Sequence, residues 1–155
     1  MTTKQILLIV GAAVAVLALS RVSLHFGYVE EDRAQAAKAI AQFHERIENG
    51  QFGKVYDDAD EELQRAAPRE ILIDAMQKTR NLWGKLTEVT YLQTNVVMNP
   101  EVQVRAVCNV TFERGAATEM FIFMKRNRQV KLAHYEIHQG TFRPSSETIP
   151  LPASR

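Results

Sequence analysis

Residues 101–114 read EVQVRAVCNVTFER, and their alternation decides the fold class. Val102, Val104, Ala106, Cys108, Val110 and Phe112 share one parity. Gln103, Arg105, Asn109, Thr111 and Glu113 share the other, with Val107 an apolar exception. Successive side chains on a strand point to opposite faces, so this stretch predicts a half-buried strand. On its N-terminal side, residues 85–98 (KLTEVTYLQTNVVM) are rich in Thr, Val and Tyr, and Asn99-Pro100 is a turn signal. On its C-terminal side, Arg114-Gly115-Ala116 turns the chain into residues 118–126 (TEMFIFMKR), which are apolar on both faces at their centre. Asn127-Arg128 is a tight turn before residues 129–139 (QVKLAHYEIHQ). There Ala133, Tyr135 and Ile137 are the expected core positions, with His134, Glu136 and His138 opposite. Strands of this length with short connections predict a four-stranded antiparallel meander.

Upstream the period changes from 2 to 3.6. Ala36, Ile40, Phe43 and Ile47 form one stripe across residues 30–49, opened by Glu30, Glu31 and Asp32 and stopped at Asn49-Gly50. Phe52, Tyr56, Ala59 and Leu63 predict a second helix over 52–66. Pro68 suits the first position of a third. That helix carries Leu72, Met76, Thr79 and Trp83 on one stripe, widened by Ile71, Ala75 and Leu82, and ends at Gly84. Three helices before four strands predict an α+β fold with the helices covering one face of a curved sheet.

The 155 residues allow one domain of ordinary size, and an apolar fraction of 46% excludes wholesale disorder. A net charge of +1 gives no reason to expect a nucleic-acid partner. One cysteine excludes an intrachain disulfide and any multi-cysteine metal site.

Residues 6–19 read ILLIVGAAVAVLAL, between Lys4 and Arg21. Ile6, Leu7, Leu8, Ile9, Val10, Val14, Val16, Leu17 and Leu19 make this a membrane signal. Extended to Tyr28, the segment spans about 34 Å, enough to cross a bilayer with Arg21 snorkelling. The expected organisation is a membrane anchor over 1–29, a domain over 30–140, and a Pro/Ser-rich tail over 141–155. The expected location is a bacterial inner membrane, single-pass, with the domain on the periplasmic side. The alternative is a signal peptide, with Ala18-Leu19-Ser20 as its cleavage site and a secreted product.

Ala39-Ile40-Ala41-Gln42-Phe43, Asn49-Gly50-Gln51-Phe52 with Val55-Tyr56, Trp83-Gly84-Lys85 and Lys131 to Ile137 form a further pattern. Together they resemble the nuclear transport factor 2-like, or cystatin-like, superfamily over about residues 34–140, and within it small exported bacterial domains of unknown function. The resemblance implies a cone-shaped fold whose pocket is open, filled or vestigial. Its members include isomerases, dehydratases, transport adaptors and secretion-system assembly domains, so fold alone does not choose among them. Isomerase-like members set an acidic base in the cone with a tyrosine donor. Tyr56, Tyr91 and Tyr135 are available here, but the sequence sets no carboxylate against any of them.

His134, Glu136 and His138 share one strand face at a spacing that two metal ligands could use, although no third convergent ligand is evident. A solvated or interface face is the plainer reading. Asp57, Asp58, Asp60, Glu61 and Glu62 lack the glycine and closing glutamate of a calcium loop and read as a solvated helix face. His44, beside Phe43 and Ile47, reads as a half-buried structural histidine, and Cys108 as a small core residue. No phosphate loop, dinucleotide fingerprint or nucleophile elbow is present, and no cofactor or metal is expected. Met120, Phe121, Phe123 and Met124 lie in a strand apolar on both faces, which marks a candidate interface. The expected function is therefore a membrane-anchored, non-catalytic interaction domain, an accessory or assembly subunit of a membrane complex. Its partners are the bilayer, through residues 6–28, and a protein subunit or a second copy. The alternatives are an exported module binding a small hydrophobic ligand and, behind it, an enzyme.

Overall fold

The stripe Ala36, Ile40, Phe43 and Ile47 is the inner face of a helix in the computed structural model, which describes residues 29–98 and 100–141. The anchor residues 6–28 and the tail from residue 142 lie outside the described residues. Within them, α1 covers residues 29–48 and α2 Phe52–Asp57. Next come α3 (Glu61–Ala66) and α4 (Arg69–Trp83). The strands are β1 (Leu86–Met98), β2 (Val102–Phe112), β3 (Gly115–Arg126) and β4 (Gln129–Gln139). They form one antiparallel sheet in the order β1-β2-β3-β4. The fold class is α+β, with four helical segments among the described residues rather than three. No helix among them is long and apolar enough to cross a membrane.

The extra segment arises because the helix expected over 52–66 breaks at Asp58–Asp60. Asp60 leaves the helical conformation (φ −71°, ψ 153°) to cap α3, its Oδ1 accepting from the Glu62 N–H at 3.1 Å. Its Oδ2 accepts from Arg126 Nε at 3.0 Å, and its own N–H donates to Leu132 O at 2.8 Å. Asp60 is therefore buried, which corrects its reading as part of a solvated acidic face. Burial pushes its carboxyl up. The bonds from Arg126 and the Glu62 N–H, with the charges of Arg126 and Lys131, outweigh that and hold it below the ordinary value.

The core face of β2 is the alternation read from sequence: Val104, Ala106, Cys108 and Val110 are all buried, with Phe112 packed beside them. β4 departs from its expected parity. Phe123 pairs with Leu132 and Ile122 with His134, so Ala133 is the extra residue of a bulge. Val130 and Leu132 face the core before the bulge, Tyr135 and Ile137 after it. Ala133 is buried but lies outside the core cluster. Two further irregularities in β1 change its phase in the same way, between Leu86 and Glu88 and between Tyr91 and Gln93.

The candidate interface is also corrected. Phe121 and Phe123 stack within the core at 5.9 Å and 7°, each burial contributing roughly 2 kcal/mol. Met124 is 1% exposed and Met120 half-buried. The large apolar side chains left open lie elsewhere, among them Ile71 and Leu82 of α4, both assigned to that helix's inner stripe on periodicity.

The β3–β4 connection is a two-residue turn with both residues at positive φ, Asn127 at 50° and Arg128 at 66°. Such turns match the twist of the strands and favour Asn-Gly. Arginine in the second position costs roughly 1 kcal/mol relative to glycine.

Candidate functional site

Glu119 lies on the core face of β3, in phase with Phe121 and Phe123 and paired across the sheet with Cys108 and Ile137. It is 1% exposed. A carboxyl taken out of water at such a position costs several kcal/mol unless both oxygens are bonded. Both are. The Tyr135 hydroxyl donates to Oε1 at 2.7 Å, and Oε2 lies 2.7 Å from His44 Nε2.

The three side chains come from different elements, His44 from α1, Glu119 from β3 and Tyr135 from β4. Aromatic packing fixes them. The His44 ring meets Phe121 edge-on at 6.0 Å, Phe43 meets Phe121 edge-on at 5.3 Å, and Tyr135 lies 5.2 Å from Phe121. Burial, then the adjacent Glu119 charge and hydrogen bond, push the Tyr135 phenol well above its ordinary value. Tyr135 therefore stays protonated and donates. The 2.7 Å contact joins Glu119 Oε2 to His44 Nε2 in the same buried group. Burial, with Glu119 opposite, pushes the Cys108 thiol up to about 12, so it is a neutral core group and no nucleophile.

This trio stands at one wall of a cavity of about 230 Å³ between α1, α4 and the sheet. Leu72, Met76, Phe112 and Ile137 make the remaining wall apolar. At its rim Arg80 bonds Glu48 at 3.1 Å, and Glu48 Oε1 accepts from the Leu86 N–H at 3.1 Å. The chemistry available is narrow: an apolar chamber with the hydrogen-bonded Tyr135–Glu119–His44 group at one wall and the Arg80–Glu48 pair at its rim.

Of the residues singled out from sequence, His44 and Tyr135 belong to this trio, Tyr135 meeting the carboxylate the sequence did not set against it, and the others fall elsewhere. His134, Glu136 and His138 point away from the core, with Glu136 bonded to both histidines at 2.7 and 3.1 Å. The His134 and His138 bonds hold the Glu136 carboxyl below its ordinary value. Among the described residues no group of three or more His, Cys, Asp or Glu side chains is arranged to hold a metal. Asp57 pairs with Arg69 and Asp58 with Arg46. Tyr56 donates to the carbonyls of Gln64 and Ala67, and Tyr91 reaches the Ala37 carbonyl at 3.5 Å, so neither hydroxyl bonds a carboxylate. His44, expected to be half-buried and structural, is buried and bonds the carboxylate. The sequence marks Glu119 only by its phase, a charged residue sharing the parity of Phe121 and Phe123.

A comparison with solved structures matches this chain to the structure of Bdellovibrio bacteriovorus Bd1075 at 11% identity and a TM-score of 0.49. The match covers 72% of this chain and 41% of that one, so this chain spans less than half that protein's length. No protein-family model and no curated protein matches the sequence.

Proposed function

We propose that this protein is a non-catalytic binding domain of the nuclear transport factor 2-like type, taking a small, mainly apolar molecule into the cavity beside Glu119. The N-terminal apolar segment tethers it to a bacterial inner membrane with the domain on the periplasmic side. There it serves a larger membrane complex as an accessory subunit. The observation that supports the ligand is an apolar chamber whose polar groups are confined to the Glu119 wall and the Arg80–Glu48 rim. Small-molecule sites have this composition, with few polar groups that orient the guest. An apolar cavity of about 150 Å³ holds benzene, so 230 Å³ suits a two-ring body with one hydrogen-bonding substituent.

The probe is 1-naphthol, titrated into the full chain held in neutral detergent. Trp83, the one tryptophan, lies 5.8 Å from the cavity residue Phe112 and reports occupancy by its fluorescence. Saturable binding is expected. Ala75→Phe, at the cavity edge on an exposed position of α4, should abolish it without unfolding the domain. Absence of saturation, or unchanged binding by Ala75→Phe, overturns the reading.

A further inference from the structure

A second concavity, of about 600 Å³, runs along the opposite flank of α1. Its walls are α1, the end of α2, and the hairpin between β3 and β4. Four cations line it: Lys38, Arg46, Arg128 and Lys131. Its two carboxylates are already engaged. Asp58 bonds Arg46 at 2.6 Å, and Asp57 bonds Arg69 through both oxygens at 2.9 and 3.2 Å. Lys38, Arg128 and Lys131 form no ion pair among the described residues. Lys131 acts electrostatically on Asp60, but Arg126 already bonds that group. On a chain of net charge +1, this is a local excess of positive charge facing one groove.

Arg128 sharpens the point. It occupies the turn position where glycine is preferred, at φ 66°. A residue held there against local preference, with its cation beside a groove, directs attention to the groove rather than the turn. The remaining lining is two-natured. Ala39 and Val130 give a half-buried apolar floor, while Gln42 and Gln129 supply side-chain amides and Gln35 donates its own to Glu31 at 3.1 Å. An amide donates and accepts, which matches the N–H and C=O of a peptide main chain. Gln35 to Arg46 spans roughly 16 Å of helix, the length of about five residues of extended peptide.

We propose that this groove binds an acidic peptide segment of a partner protein, its carboxylates on Lys38, Arg128 and Lys131 and an apolar side chain on Ala39 and Val130. The proposal stands on residues separate from the Glu119 cavity, apart from the shared wall residue Phe43. Its failure leaves the small-molecule reading intact, and the naphthol titration leaves this one intact.

The test uses the full chain in phosphatidylcholine nanodiscs and a fluorescein-labelled peptide, Asp-Glu-Leu-Glu-Asp, read by anisotropy. Saturable binding is expected, weakening as salt is raised from about 50 to about 200 mM. Arg128→Gly should weaken it about fivefold while raising the melting temperature, since glycine relieves the turn. A purely structural arginine would not move the two readouts in opposite senses. Lys38→Gln, on an exposed helix position, should weaken binding by a similar factor with no change in melting temperature. Three results overturn the proposal: variants that bind as the parent does, equal binding of Lys-Lys-Leu-Lys-Lys, or a lower melting temperature for Arg128→Gly. Variant-sensitive binding to phosphatidylglycerol vesicles with none to the peptide also overturns it, in favour of a lipid surface.

Discussion

The two faces of the sheet each hold a histidine–glutamate contact of 2.7 Å, and they are not equivalent. On the inner face His44 meets Glu119, with side chains 9% and 2% exposed. On the outer face His134 meets Glu136, with side chains 47% and 41% exposed. The distance is the same, so the difference lies in the surroundings. Inside, water cannot replace a lost partner, and each orphaned group carries its full desolvation penalty. Outside, water takes the place of either partner and salt screens the pair.

The comparison predicts its largest effect at Glu119. Glu119→Ala leaves the Tyr135 hydroxyl and a His44 nitrogen unpaired in the interior and should cost about 3 kcal/mol in urea unfolding. A cost below about 1 kcal/mol would mean that water reaches the trio, and the two faces would then be alike.

Asp60 offers a second buried carboxylate with a different partner, a guanidinium that never loses its charge. Asp60→Asn keeps the cap but removes the charge, and should cost about 2 kcal/mol at neutral pH. Its folded pKa is lowered, so unfolding takes up a proton. The stabilisation is complete above about pH 4 and is lost as pH falls further through the folded value. Unfolding midpoints measured from pH 6 to pH 2 should therefore fall more steeply for the parent than for Asp60→Asn. Parallel curves would assign the acid limb to other carboxylates.

These two sites also show what the sequence can and cannot disclose. The parity of Val104, Ala106, Cys108 and Val110 is a local property, and the strand it predicts is the one observed. Gly50 ends α1 at φ 67°, as its position after a helical stripe implies. The break at Asp60 was hidden because its cause, Arg126, lies 66 residues away. The bulge at Ala133 was hidden because β4 alternates plausibly in either phase. The spacing of His134, Glu136 and His138 is visible in five consecutive letters of strand. The His44–Glu119 contact joins residues 75 apart, and only the folded sheet brings them together. Local spacing thus favoured the exposed group, where the surroundings do least.

Smaller effects separate the two faces further. Tyr135→Phe removes one donor to Glu119 while keeping the ring against Phe121. It should cost about 1 kcal/mol and weaken naphthol binding, with the unfolding midpoint and the fluorescence titration as the two measurements. Full stability retained by Tyr135→Phe would mean that His44 alone satisfies the carboxyl.

The smallest effect belongs to Glu136→Gln. Glu136 bonds His134 and His138 in water, and both histidines keep full access to solvent partners when it is neutralised. Its lowered pKa gives a stabilisation that is complete above the unfolded carboxyl value and lost as pH falls through the folded one, and solvent screening keeps that contribution small. The urea midpoint at pH 7 should be unchanged within the precision of the measurement, at low salt and at high. A clear loss at low salt that disappears at high salt would show that the outer triplet acts as a linked network. The outer face would then share the energetic weight assigned here to the inner one, and burial would no longer be what separates two contacts of equal length.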